Sequence, residues 1–263
     1  MVSSERKIRE FERREQEILS AALELFSGER WESVTVTQIA KQADIGKGTV
    51  YKHFASKDEI YARLARDYGV ALSAGRVGDA FRRIFAQAEP MVFPEAKPEE
   101  IPSLERDWWQ RIVRSTFLAA DSTKRFSDFD AFFERLWARF AAPDSWLLRP
   151  GSRELLARLR ARGLRTGVVS NFDRRLPAIL EGLGIAAQLD AIVLPSDARA
   201  AKPDRRIFAL ALEHIGVAAS EALFVGDDAK RDLDGARAAC LRAVDATSLA
   251  TLSDLRIPGD AEP

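Results

Sequence analysis

Phe224–Ala236, FVGDDAKRDLDGA, opens on the end of a short apolar strand, read as Ala222–Val225, and runs through a glycine into a run of carboxylates and cations. Working outward from it, the second half of the chain repeats the same device. Thr166–Ser170 and Ala191–Leu194 read as further apolar strands, and helices are predicted over Glu154–Arg160, Leu176–Gly182, Arg206–His214 and Gly235–Ala239. Alternation of this kind predicts a parallel sheet with helices on both faces. Ligands of such sheets bind beyond the carboxyl ends of the strands. The polar residues stand at those ends: Ser170-Asn171, Lys202, and Asp227-Asp228 with Asp232.

Three motifs therefore occur in order, GVVSNFD at 167–173, AKPD at 201–204 and FVGDDAKRDLDGA at 224–236. Together, across roughly residues 150–245, they resemble motifs II, III and IV of the haloacid dehalogenase-like hydrolases. The resemblance implies a Rossmann-like α/β core over 150–263 and a helical cap over 71–149. It implies roles as well. Ser170, Asn171 and Lys202 would take part in catalysis, a hydroxyl and an ammonium orienting a phosphoryl group. Asp227 and Asp232 would offer hard oxygen ligands to Mg²⁺.

The first half is organised around Thr35–Phe54, TVTQIAKQADIGKGTVYKHF. Thr35–Thr37 offers a hydroxyl cap, Ile39, Ala40 and Ala43 form an apolar face, and Asp44-Ile45-Gly46 breaks the period. A second helix then opens at Lys47. This pattern predicts a helix-turn-helix, whose second helix would enter a major groove. With its flanks, Ile18–Tyr61 resembles the DNA-binding domain of TetR-family regulators. That resemblance implies an all-α domain over residues 1–70, with Thr37, Lys47, Thr49, Tyr51, Lys52 and His53 on bases or phosphates and Lys57 on the backbone. It also implies a palindromic double-stranded operator and a homodimer to read it. Between Thr35 and Arg66, Lys and Arg exceed Asp and Glu by three, which suits a phosphate-facing surface.

Between the halves, Met91–Pro102 is proline-rich and is predicted as a loop. Helices are predicted over Phe81–Gln87, Leu104–Ala119 and Phe126–Phe140. Their aromatic residues recur every three or four positions, the spacing of a buried bundle face. The catalytic carboxylates of the hydrolase resemblance should precede this region, on a central strand. The one candidate is Asp67, in DYGVAL, where Gly69 and Ala71 stand in place of the expected acid and hydroxyl; the other reading of Asp67 is a surface residue near the end of a helix. Either Tyr68–Ser73 fills the central slot of the sheet, or the sheet is incomplete.

Across the whole chain Lys plus Arg, 40, equals Asp plus Glu, 40, so no global field argues for a polyanionic partner. Cys240 is the sole cysteine, which excludes a disulfide framework and makes a reducing, cytoplasmic setting the expectation. No apolar run approaches the roughly 20 residues of a membrane helix. The expected architecture is multidomain: an all-α helix-turn-helix domain, then a capped α/β domain. Two functions follow. In the first, the chain is a DNA-binding regulator whose hydrolase-like half senses a phosphorylated small molecule or holds a dimer together, with impaired catalysis. In the alternative, it is a Mg²⁺-dependent phosphohydrolase carrying a DNA-binding domain.

Overall fold

A computed structural model describes residues 65–257 apart from Leu147, together with Arg13, Glu17, Gln42 and Asp44. Thr37, Lys47, Thr49, Tyr51, Lys52, His53 and Lys57 lie outside the described residues.

Three helices form the first layer: α1 (Ala74–Gln87), α2 (Ile101–Ala120) and α3 (Phe129–Ala141). Each end has a local cause. Ser73 caps α1 by accepting from the backbone N–H of Arg76, and Asp128 caps α3 by accepting from that of Ala131. Proline at the second position of α2 costs nothing, because that N–H has no partner within the helix. Along α2 the buried side chains are Ile101, Glu105, Trp108, Ile112, Val113, Thr116, Phe117 and Ala120, one stripe at helical spacing. The aromatic positions predicted to form a bundle face do so. Phe132 is fully buried, and its ring meets those of Tyr68, Phe117 and Phe126.

The second layer is α/β. It contains α4 (Ser152–Ala161), β1 (Gly167–Val169), α5 (Leu176–Gly182), β2 (Ala191–Val193), α6 (Arg205–Ile215), β3 (Leu223–Gly226) and β4 (Arg242–Asp245). All pairing is parallel, as expected. β1 pairs with β2, Val168 opposite Ile192, and β3 pairs with β4, Phe224 opposite Ala243. Strand β4 carries little sequence signal and is an addition to the predicted set: RAVD is short, begins on an exposed arginine and lacks a clear alternation.

The two pairs form separate two-stranded sheets, with no described strand between them. Helix α6 spans both. Ile207, Phe208 and Ala211 make one cluster with Val169 and Val193 on one side and with Phe224 and Ala243 on the other. Phe208 meets Phe224 edge to face at 5.1 Å between centroids. The opposite face of β3 and β4 is covered by α4 and the C-terminal segment, through Leu155, Leu223, Val225, Val244 and Leu255. Side chains of β3 thus alternate between two helical covers, as pleating requires. Parallel strands are ordinarily buried on both faces, yet no residue of β1 or β3 is fully buried.

Tyr68–Ser73 does not fill the space between β1 and β3. Val70 and Leu72 are buried with Val113, Phe117, Phe132 and Leu136, in the core of the helical layer. The backbone is held there too, since Ser127 N–H donates to the carbonyl of Tyr68 at 2.9 Å. Asp67 goes with this segment. Its carboxylate pairs with Arg135 of α3 at 2.8 Å, and both side chains are about half exposed. The one nucleophile candidate thus lies at the surface of the helical layer, in agreement with the reading of Asp67 as a surface residue.

Candidate active site

The loops that leave β1 and β3 meet at one lysine. Ser170 ends β1, its N–H donating to the Val193 carbonyl at 3.1 Å while its Oγ accepts from Phe172 N–H. The amide of Asn171 makes a reciprocal pair with the backbone of Lys202: Nδ2 donates to the carbonyl at 2.9 Å, and Oδ1 accepts from the N–H at 2.7 Å. Lys202 then sends its Nζ to Asp232, 2.6 Å from Oδ1. Asp232 is buried and Lys202 largely so, the side chains 8% and 12% exposed.

Asp232 reaches this position because the chain after β3 winds tightly. Ala229–Asp234 forms a π-type turn, capped by Asp228, whose side chain accepts from Arg231 N–H. Gly226 makes the approach sterically feasible, because a Cβ there would lie 2.5 Å from Cβ of Asp232. The second carboxylate oxygen of Asp232 accepts from Asp227 N–H at 3.1 Å and Asp228 N–H at 3.2 Å. Hydrogen bonds thus link Asn171, Lys202 and Asp232, and Ser170 precedes Asn171 directly in the chain. Asp227 lies beside them with an exposed side chain.

These residues do not by themselves make a metal centre. Asp232 spends one oxygen on an ammonium and the other on two backbone donors. No group of three His, Cys, Asp or Glu side chains arranged to hold a metal occurs among the described residues. What the cluster offers chemically is a fixed ammonium with a hydroxyl and an amide beside it.

The helical layer closes over both loops, through residues that none of the three motifs singles out for a role. Asp173 is 1% exposed and takes Arg175 in a bidentate pair, Nε at 2.8 Å and Nη2 at 2.6 Å. From the other side it accepts the indole N–H of Trp109, on α2, at 2.8 Å. The Arg175 guanidinium lies over the Trp137 ring of α3, 3.4 Å from its centroid. Glu105 of α2 accepts from Arg174 N–H at 3.0 Å. Burial raises the Glu105 carboxyl above its usual range; the Arg174 hydrogen bond opposes this, and the nearby charge of Asp173 adds to it. Over the loop after β3, Arg231 lies 5.8 Å from the ring of Phe85 in α1. The one available signal was the carboxylate–guanidinium spacing of Asp173 and Arg175 at the start of α5.

A sequence model of the haloacid dehalogenase-like hydrolases matches residues 17–239. The chain belongs to that family. The zebrafish haloacid dehalogenase-like hydrolase domain-containing protein 3 is 37% identical over 186 residues, covering 71% of this chain and 76% of that protein. Its human counterpart is 34% identical, with 68% and 70% covered. A phosphoserine phosphatase from Thermus thermophilus is 38% identical over 98 residues, 37% of this chain and 39% of that protein.

Solved haloacid dehalogenase-like structures share the fold. The Bacillus subtilis hydrolase YfnB, described as bound to magnesium, superposes with a TM-score of 0.52 at 15% identity, covering 71% of this chain and 79% of that one. The L-2-haloacid dehalogenase of Xanthobacter autotrophicus gives 0.51 at 19% identity, with 73% of each chain covered.

The family assignment corrects the expectation for the first half. The hydrolase match spans Ile18–Tyr61, the stretch that resembles a TetR-type domain. The fold is a haloacid dehalogenase-like α/β hydrolase, not a helix-turn-helix domain joined to one. The regulator function and the double-stranded DNA partner with its palindromic operator are set aside with it, and the homodimer loses the operator symmetry that was its argument. Among the described residues no helix is long and apolar enough to cross a membrane.

Proposed function

We propose that the chain is a hydrolase of small phosphorylated molecules, and that Lys202, Asn171 and Ser170 receive the phosphoryl group. The observation that carries this reading is the buried Lys202 ammonium, fixed by Asp232 where the loops after β1 and β3 converge. A preorganised cation in a water-poor site neutralises charge on a phosphoryl group without reorganising as the charge moves. The hydroxyl of Ser170 and the amide of Asn171 supply directional polar groups beside it. The likeness to a phosphoserine phosphatase over 98 residues agrees with a phosphate monoester as substrate. Hydrolases of this family generally use Mg²⁺, and Asp227 is the exposed carboxylate next to Asp232 that could add an oxygen ligand.

A second reading is phosphoryl binding without turnover. It is favoured by the place of Asp67, which pairs with Arg135 on the helical layer and so supplies no nucleophile to Lys202. The two readings separate in one experiment. Phosphate release from a panel of phosphate monoesters, with and without Mg²⁺, is measured beside the affinity for inorganic phosphate. Release and binding that both disappear in Lys202→Ala support hydrolysis. Binding without release supports the second reading. Phosphate affinity unchanged in Lys202→Ala overturns both.

A further inference from the structure

A cavity of about 170 Å³ lies between the helical layer and the loop after β1. Trp109 of α2 and Phe133, Trp137 and Phe140 of α3 form its walls, and Trp146 and Phe172 line it from the α/β side, leaving it partly open. The rings are held by one another: Trp146 meets Phe172 edge to face at 5.1 Å, and Phe140 meets Trp146 at 6.1 Å. Arg175 is its single charged lining residue, and that charge is already spent. Two of its nitrogens bind the buried Asp173, a third donates to the Trp137 carbonyl at 3.2 Å, and its face lies on the Trp137 ring.

The geometry points to a binding site for an uncharged aromatic ring. The volume is that of a single ring, since apolar cavities of roughly 150 Å³ stay dry and take up benzene. The walls offer ring faces and edges, which favour offset and edge-to-face contact with another ring. An anionic group would be desolvated there beside a guanidinium already neutralised, and such burial is unfavourable. Phe172 follows Asn171 directly and its N–H donates to Ser170 Oγ at 3.2 Å, so the ring site and the phosphoryl site share the loop after β1. Resting on the proposed function for that second half, the substrate class is an aryl phosphate monoester: ring among Trp109, Trp137 and Phe172, phosphoryl group at Lys202.

The test uses the full chain and neutral p-cresol, followed by calorimetry and by the emission of the three lining tryptophans. One ring binds per chain, with a dissociation constant of about 0.1–1 mM, and benzoate binds at least about tenfold more weakly. Val113→Phe, which extends a cavity-lining side chain into the space, weakens p-cresol about tenfold or more. If that variant does not fold, Phe140→Ala decides, because widening the cavity shifts preference toward 2-naphthol by about threefold or more. Absence of saturable p-cresol binding overturns the proposal. So does unchanged affinity in folded Val113→Phe, or unchanged preference in Phe140→Ala. Loss of phosphate binding with p-cresol binding intact strikes the phosphoryl reading alone. If p-cresyl phosphate is cleaved no faster than ethyl phosphate although p-cresol binds, the ring site is no part of the substrate site and the substrate class is overturned.

Discussion

The Nζ of Lys202 lies 2.6 Å from Oδ1 of Asp232, and this buried pair joins loops from two strand pairs that share no hydrogen bonds of their own among the described residues. Lys202 is tied to the β1 side through Asn171, and Asp232 to the β3 side through its own loop. The pair therefore holds the site together as well as charging it. Removing one partner leaves a buried ion without its counter-charge, which costs about 3–5 kcal/mol. Asp232→Ala should lower the unfolding free energy by that amount and abolish phosphate binding. Denaturant unfolding checks it, and a loss under about 1 kcal/mol would show that the pair is solvated rather than structural.

Asp67→Asn is expected to do little. Its ion pair with Arg135 is half exposed, and such pairs contribute about 0–1 kcal/mol. Turnover of any phosphate monoester should remain within about twofold of wild type, since its carboxylate is paired with Arg135 of the helical layer. Loss of activity in a variant of normal stability would place Asp67 in the site and contradict its position.

Phe132→Ala probes the first layer. The ring is fully buried and meets Tyr68, Phe117 and Phe126, so truncation leaves a cavity that its aromatic neighbours cannot fill without losing contacts. The expected cost is about 3–5 kcal/mol. A melting temperature unchanged within about 1 °C would show that this layer is not part of the cooperative unit.

Glu105 makes the contact between the layers sensitive to pH. Burial raises its carboxyl in the folded chain, so the folded state holds the proton more tightly than the unfolded state does. Its contribution is then fully present below the unfolded value of 4.5 and is lost as pH rises through the raised folded value. Glu105→Gln keeps an oxygen to accept from Arg174 N–H and removes the titration. The variant should melt at or above the wild-type temperature at pH 7, and the difference should vanish at pH 4. A variant less stable than wild type at pH 7 would mean that the ionised carboxylate is the favoured form there.

Gly226 tests how closely Asp232 must approach β3. A Cβ at 226 would lie 2.6 Å from Oδ2 of Asp232 and push the carboxylate away from Lys202. Gly226→Ala should reduce phosphate affinity about tenfold or more while destabilising the fold by roughly 1–3 kcal/mol. Unchanged phosphate affinity would show that the pair tolerates the displacement.

The second half was legible in the sequence because its signals are local. Apolar runs that end in Ser170-Asn171 and in Gly226-Asp227-Asp228 specify strands and the polar residues at their ends, and helix α5 has the bounds its pattern predicted. The aromatic stripes of α2 and α3 announced a buried face at helical spacing, which tertiary packing only had to pair. The first half shows the limit of local signals. The residue types of Thr35–Phe54 suited two helices around a turn, yet the family match runs across that stretch and beyond it, and only the whole chain carries that information.

Sequence alone pointed to a parallel α/β core, a helical layer ahead of it, and Ser170, Asn171, Lys202, Asp227 and Asp232 at the carboxyl ends of the strands. Tertiary structure decided the rest. The side of the molecule on which Asp67 lies follows from burial of Val70 and Leu72 against Phe117 and Phe132, contacts that no pattern around Asp67 displays. The way helix α6 spans the two strand pairs depends on long-range packing of Ile207, Phe208 and Ala211 with Val169 and Val193 on one side and Phe224 and Ala243 on the other. The closure of the site depends on Trp109 reaching Asp173 across 64 residues of chain. A hydrogen bond at that separation exists only once both layers have folded, which is why it left no mark on the local pattern.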